Sequence, residues 1–450
     1  MPTYRLNFRS GKQLYYSTEC GGFFTEEMIP ITFGLSGIDE LRDWKHEPYA
    51  PGAIIKKSRK PRKVRIVMGF DCNFKCKYCS QKVTRESSAE RMFKLADSFL
   101  EKFFAAIDEP PKSIEFWGGE PFVYFKTLQK IVPQLRKAYP KTTFRIITNG
   151  SMINRQIADF ILKNQIVLIV SHDAKGQANR GEDPLADPEK KALLLELYHG
   201  LQHAPHGENE APFGFTCVMT KNNCAPLEIG KFFRDNFHPK VSVSCSYVTA
   251  MGGIAADKEF LSVAFDKDSL VKMSHNVLRA LDQIDSGNGA NTLLRDARNA
   301  ITKLLRCETV AQIGSRCETD SPEHLIVKLD GNVLQCQNTN AHGEYGNIAD
   351  MDRVGVNGFH MWNHRPTCRK CPIVHLCYGA CPALKGNGFV DSCRVNWAYY
   401  SALFKFAVSR IFKDELVSLE GDILRPQREL VETKHGKQIL LHKVELTAIG

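Results

Sequence analysis

Six short apolar runs separated by segments of helical period govern what this chain can fold into. VRIVMG (64–69), SIEFW (113–117), FRIITN (144–149), IVLIVS (166–171), FGFTCVM (213–219) and VSVSCSY (241–247) read as buried strands. Between them, AERMFKLADSFLEKFFAA (89–106) and PEKKALLLELYHGLQ (188–202) space their apolar residues as amphipathic helices do. Strand and helix in alternation imply an α/β fold with a parallel sheet and right-handed crossovers, here a partial (β/α)6 TIM-like barrel. In such sheets function gathers at the C-terminal ends of the strands. After residue 254 the strands are expected to stop and 260–306 reads as helical. A Gly- and Asn-rich, cysteine-rich segment, 307–393, is too irregular for a hydrophobic core and needs metal to hold it together. The expected division is an N-terminal extension of unreadable role (1–63), the barrel (64–254), a helical bridge (255–306), a C-terminal cysteine-rich domain (307–393), and a C-terminal piece (394–450). That last piece holds a docking helix over 395–416 and a hairpin around His435 and Gly436.

No 18-residue apolar run exists, and the start MPTYRLNFRSGKQ is too polar for a secretory segment, so membrane insertion and export are not indicated and a cytoplasmic setting is expected. Lys plus Arg outnumber Asp plus Glu by 60 to 50, and KKSRKPRK (56–63) holds much of the excess. Such a run suits RNA or an acidic peptide, and equally a solvated linker. Fifteen cysteines are many for a reducing compartment, where metal explains them better than disulfides. Eleven fall into two groups; Cys20, Cys217, Cys224 and Cys245 are scattered and read as core or surface residues.

The first group, Cys72-x3-Cys76-x2-Cys79, follows the first strand immediately. Structural zinc wants four closed ligands, and three thiolates without a nearby histidine do not supply them. On a cubane 4Fe-4S cluster, three thiolates leave one iron open, where a small molecule can bind. Downstream, Gly118, Gly119, Glu120 and Pro121 form a GGEP element directly after the second strand: the glycines permit close backbone approach and the carboxylate can accept from an ammonium group. Thr148 and Asn149 end the third strand, Ser171 and Asp173 the fourth; helix caps or turns are the plain alternative for each. Together the loop, with Tyr78 before its third cysteine, and the GGEP element resemble the radical SAM family. The resemblance implies that Cys72, Cys76 and Cys79 hold a cluster to which S-adenosylmethionine binds through its amino and carboxylate groups. It implies further that Tyr78, the GGEP element, Thr148, Asn149, Ser171 and Asp173 lie around that cofactor. Where relatives often have Ser-x-Asp-Gly, this chain reads SHDAKG.

The second group runs Cys317-x13-Gly331-x4-Cys336, then Cys368-x2-Cys371-x5-Cys377-x3-Cys381, then Cys393, with Cys307 upstream as an eighth thiol. Paired zinc knots would use the same residue type. The run resembles the SPASM extension of the radical SAM family, which carries two auxiliary 4Fe-4S clusters. Carried over, the resemblance assigns Cys307, Cys317, Cys336 and Cys381 to the nearer cluster and Cys368, Cys371, Cys377 and Cys393 to the outer one, three clusters in all. His324, His342, His364 and His375 read as solvent-facing or hydrogen-bonded structural groups.

The resemblance implies an oxidoreductase that abstracts hydrogen through a 5′-deoxyadenosyl radical. Its expected substrate is a ribosomally made precursor peptide, in which it installs an oxidative crosslink: carbon–carbon, ether or thioether. A flavodoxin- or ferredoxin-type electron donor is the further partner. Relatives that make formylglycine carry an aspartate base after the cysteine matching Cys336; here Gln337 stands there, and an amide takes no proton at neutral pH. No catalytic base is assigned. Chemistry on RNA or a small-molecule cofactor, or a non-enzymatic iron-sulfur or zinc protein, are the alternatives.

Overall fold

The computed structural model describes residues 3–33, 50, 52–83, 88–207, 211–249, 257–284, 291–308, 314–338, 345–357 and 360–426. The hairpin expected around His435 lies outside them. At the N-terminus, β1 (Thr3–Phe8), β2 (Gln13–Ser17), β3 (Phe23–Phe24) and β4 (Pro30–Ile31) run antiparallel. Along β1 every second residue, Tyr4, Leu6 and Phe8, is buried, as a sheet with one covered face requires. A short β5 (Ile55–Lys56) leads into the barrel.

The barrel strands are β6 (Lys63–Val67), β7 (Ser113–Trp117), β8 (Thr143–Thr148), β9 (Ile166–Ser171), β10 (Phe213–Met219) and β11 (Ser242–Tyr247). They pair in parallel and in sequence order, and the helices between them are α1 (Ala89–Ala106), α2 (Phe125–Ala138), α3 (Arg155–Lys163), α4 (Pro188–Gly200) and α5 (Pro226–Asn236). Local chemistry sets several starts. Ser88 caps α1 through Arg91 N, Asn154 caps α3 through Ile157 N, and Asp187 caps α4 ahead of Pro188. The α/β partial barrel expected from the alternation is the observed architecture.

Strands do not stop at 254. Past α6 (Lys258–Val263), α7 (Lys267–Asp282) and α8 (Asn291–Leu305), β12 (His324–Lys328) pairs parallel with β6, so the sheet order is β11-β10-β9-β8-β7-β6-β12. The cysteine-rich segment therefore contributes a strand to the barrel sheet. It also contributes β13 (Gly355–Val356), paired antiparallel with β5, and two one-turn helices, α9 (Pro366–Arg369) and α10 (Val374–Cys377). The expected docking helix begins earlier, as α11 (Gly386–Phe412), and is buried along most of its length. Beyond it β14 (Leu416–Glu420) pairs antiparallel with β1, so both ends of the described chain share one sheet. Phe23 and Tyr16 of that sheet pack on Phe412 and Phe404 of α11.

Arg65 and Glu115 are cross-strand neighbours on β6 and β7 and form a buried ion pair, Nε to Oε2 at 2.8 Å, with the guanidinium 4.8 Å from the Trp117 ring centre. Removing one partner leaves the other charge buried and uncompensated. Arg65→Met is expected to lower unfolding stability by about 3–5 kcal/mol, read as a fall in denaturation midpoint. An unchanged midpoint would show that the pair is neutralised some other way.

Candidate iron-sulfur and cofactor site

The cysteine loop leaves β6 at its C-terminal end and interlocks with the turn after β7. Gly119 N donates to Gly69 O at 3.0 Å and Glu120 N to Asp71 O at 2.9 Å. A Cβ on Gly118 would meet the Gly69 carbonyl oxygen, and one on Gly119 the Asp71 carbonyl oxygen, both closer than 3.0 Å. The glycines thus admit the close approach of the cysteine loop's own backbone.

Glu120 is fully buried and its carboxylate accepts three hydrogen bonds: from Phe122 N at 3.1 Å, Thr148 Oγ1 at 2.7 Å and Asn149 N at 2.7 Å. Burial pushes its carboxyl above the usual range, against the pull of those three donors. Its role in the structure is to tie the second strand end to the third. Asn149 in turn donates to Asn73 Oδ1 at 2.8 Å and reaches to 4.0 Å from Cys72 Sγ. Pro121 begins the one-turn helix that Glu120 caps.

Within the loop, Cys79 N donates to Cys76 O at 3.1 Å and Phe74 N to Cys72 Sγ at 3.3 Å. Cys76 is buried, and burial raises its thiol to about 11, with Cys79 and Cys72 close enough to add to the rise and Arg180 opposing it. A thiol so placed ionises when a cation takes its proton's place. Asp173, at the end of β9, receives the Tyr78 hydroxyl, accepts from Val218 N at 2.9 Å and pairs with Arg180 at 3.5 Å; Arg180 donates to Tyr78 at 2.7 Å. Tyr78 and Asp173 are thus brought together, joined by an arginine that sequence reading missed. Ser171 is buried at the end of β9. The intervening His172 is fully buried, accepting from Ala174 N at 2.9 Å and bonded to Asp183 at 2.7 Å, which makes it a turn-former.

The second field gathers in two places. Cys336 is raised by burial to about 12, with Cys317 and Cys381 as near neighbours; Cys381 is raised to about 11, again beside Cys317. Cys368, Cys371, Cys377 and Cys393 line one cavity with Phe389, Trp397 and Arg425. Burial lifts Cys368 and Cys371 to about 12, and Cys377 and Cys393 also rise. Among the described residues no three Cys, His, Asp or Glu side chains converge as a single-ion site. Four thiols spread around a cavity suit a polynuclear group better than one zinc at about 2.3 Å from each sulfur. Cys307, at φ 49°, lies against the turn at Gly21.

Basic side chains hold these loops. Buried Arg365 donates to the carbonyls of Cys381 at 3.1 Å and Leu384 at 2.7 Å. Lys57 donates to Thr319 O and Ser321 O, each at 2.8 Å, and burial brings its ammonium down to about 8. Four more cations of the run have partners, in exposed contacts: Lys56 with Asp352 O, Arg59 with Asp108, Lys60 with Glu109, Arg62 with Glu318 and Glu323. Through Lys56, Lys57 and Arg62 the run joins the barrel to the cysteine field.

His375 bonds Tyr16 at 2.9 Å and is held neutral by burial, which lowers it to about 3. His324 is buried, which excludes the solvent-facing one of its two expected settings, and burial lowers it too to about 3. His342 lies outside the described residues. Of the scattered cysteines, Cys217 and Cys245 are register neighbours on β10 and β11, and contact with Cys245 raises the Cys217 thiol.

Residues 63–180 match the model of a 4Fe-4S single cluster domain. The solved structure of anSMEcpe with bound AdoMet and a Cp18Cys peptide superposes over 78% of this chain and 98% of its own, at a TM-score of 0.55 and 18% identity. The chain has the radical SAM fold and is an enzyme. The radical SAM cyclopropyl synthase TigE of Paramaledivibacter caminithermalis is 19% identical over 417 residues, 86% of this chain and 82% of that relative. The GTP 3′,8-cyclase of Campylobacter lari is 31% identical over 187 residues, 39% of this chain and 56% of that relative, so this match spans about half the cyclase. Among the described residues no helix is long and apolar enough to cross a membrane.

Proposed function

We propose that the protein is a radical SAM/SPASM maturase that abstracts hydrogen from a ribosomally made peptide and installs an oxidative crosslink. The observation that carries this is the three-thiol loop locked at the C-terminal end of β6, with a second field of thiols, five of its eight buried, beside the barrel. Cys72, Cys76 and Cys79 would hold the first 4Fe-4S cluster. Cys317, Cys336 and Cys381, with Cys307 as fourth thiol, would hold one auxiliary cluster, and Cys368, Cys371, Cys377 and Cys393 another. When bound, the first cluster and S-adenosylmethionine supply a 5′-deoxyadenosyl radical.

The protein's own share is positioning and exclusion of water. Three internal donors fill three of the roughly four acceptor sites of the Glu120 carboxylate and fix the GGEP turn that would hold the cofactor's ammonium group. The buried Tyr78–Asp173–Arg180 group closes the neighbouring strand end. Two auxiliary clusters suit a net two-electron oxidation. Gln337 cannot act as a base, which favours bond formation over formylglycine chemistry. Similarity to a cyclopropyl synthase favours a carbon–carbon bond, and the peptide bound to anSMEcpe favours a peptide substrate. Cytoplasmic action with a flavodoxin- or ferredoxin-type donor, and the division at 64, 254, 307 and 393, belong to the same proposal.

The match to a GTP 3′,8-cyclase, confined to part of each chain, favours a second reading in which the substrate is a small molecule. Anaerobic incubation of the reduced protein with S-adenosylmethionine and a short peptide encoded beside it separates the two. Mass spectrometry is expected to show loss of two hydrogens from the peptide. Unchanged peptide mass together with 5′-deoxyadenosine released on addition of GTP would favour the small-molecule reading.

A further inference from the structure

Gln337 has no part in the function proposed so far, yet the structure places it at a junction. Its backbone carbonyl accepts a hydrogen bond from Gln81 Nε2 at 2.8 Å, and both residues are buried. Gln81 stands two residues beyond Cys79, and Gln337 directly follows Cys336. This hydrogen bond therefore joins the first cysteine loop to the residue that follows a thiol of the second field. The side chain of Gln337 presents Oε1 to Cys336 Sγ at 3.7 Å, with the thiol as donor, and Asn338 N donates to the same sulfur at 3.4 Å. A metal-bound sulfur is a thiolate and can only accept. Half a turn of the Gln337 amide exchanges Oε1 for Nε2 and puts an N–H on that sulfur with no other atom displaced.

We propose that Gln337 is a positioning residue that donates a hydrogen bond to the Cys336 sulfur and so raises the reduction potential of the first auxiliary cluster, with Gln81 holding it in place. The proposal rests on the reading of Cys317, Cys336 and Cys381 as cluster ligands. Hydrogen bonds to ligand sulfurs stabilise the more negatively charged, reduced state. A carboxylate at this position would act in the opposite sense, since its charge opposes the incoming electron. The exchange of aspartate for Gln337 thus substitutes an electrostatic adjustment for a proton acceptor.

The test is a potentiometric titration of the reconstituted full-length protein, followed by electron paramagnetic resonance, in a Cys72→Ala/Cys76→Ala/Cys79→Ala background so that only auxiliary signals remain. Gln337→Leu is expected to shift one auxiliary midpoint downward. At the parent's midpoint its reduced-to-oxidised ratio should fall about tenfold, equivalent to about 59 mV for one electron. Gln337→Glu should shift the same midpoint further, Gln81→Leu by less, and the other auxiliary midpoint should stay. Gln337→Leu with wild-type iron content and both midpoints unmoved would overturn the proposal. Should Gln337→Leu fail to retain iron, the near-isosteric Gln337→Glu decides in the same way. A parent with no auxiliary signal would overturn the cluster reading itself, and the proposal with it.

Discussion

Replacing Cys72, Cys76 and Cys79 together by alanine is expected to abolish 5′-deoxyadenosine formation while leaving about eight of about twelve irons per chain, at four irons for each cubane. The selectivity follows from the architecture. The first loop is held by β6, the turn after β7 and Asn149, whereas the second field is held by Arg365, Lys57 and α11. Removing the first set of thiols leaves those supports intact. Iron analysis and product chromatography of the anaerobically reconstituted variant provide the measurement. Turnover that survived would place the cofactor elsewhere. Loss of all iron would mean that the two fields fold only as one.

The second large effect is expected from one methyl group. Gly119→Ala places a Cβ closer than 3.0 Å to the Asp71 and Phe70 carbonyl oxygens, which are backbone atoms of the cysteine loop and cannot rotate aside. Either the loop withdraws from the turn or the turn withdraws from the loop. Both outcomes break the 2.9 Å Glu120 N to Asp71 O bond that sets Cys72 relative to β7. Overpacking of this kind costs about 1–3 kcal/mol in stability, but the larger consequence falls on a site that tolerates only fractions of an ångström. The variant should fold, keep its auxiliary iron, and lose the first cluster and affinity for S-adenosylmethionine. Wild-type affinity in Gly119→Ala would mean that the interlock of loop and turn does not position the site.

The barrel strands were legible because a parallel strand is covered on both faces and reads as a nearly unbroken apolar run, as in IVLIVS at β9. Two later strands were not. In β12 the apolar part is only LIV, between His324 and Lys328, and its pairing with β6 joins residues more than 250 apart. The β1–β14 pairing spans over 400 residues, so no local pattern announces it. The cysteines declared themselves, since few other roles require thiols at such spacings. Arg180, Gln81 and Asn73 did not, because each is a lone polar residue whose work is defined by tertiary neighbours. Likewise the charges of 56–63 were visible, but their partners Asp108, Glu109, Glu318 and Glu323 lie far along the chain.

The sheet shared by β1 and β14 bears on how the molecule is made. In the order of synthesis its first strand precedes its last by more than 400 residues and waits unpaired on one edge until residue 420 has emerged. During that interval the barrel can close, but α11, which carries Cys393 and supports this sheet, is still incomplete. Chains arrested before α11 would lack Cys393, one of the four thiols of the outer cavity, while the first loop and Cys317, Cys336 and Cys381 are already made.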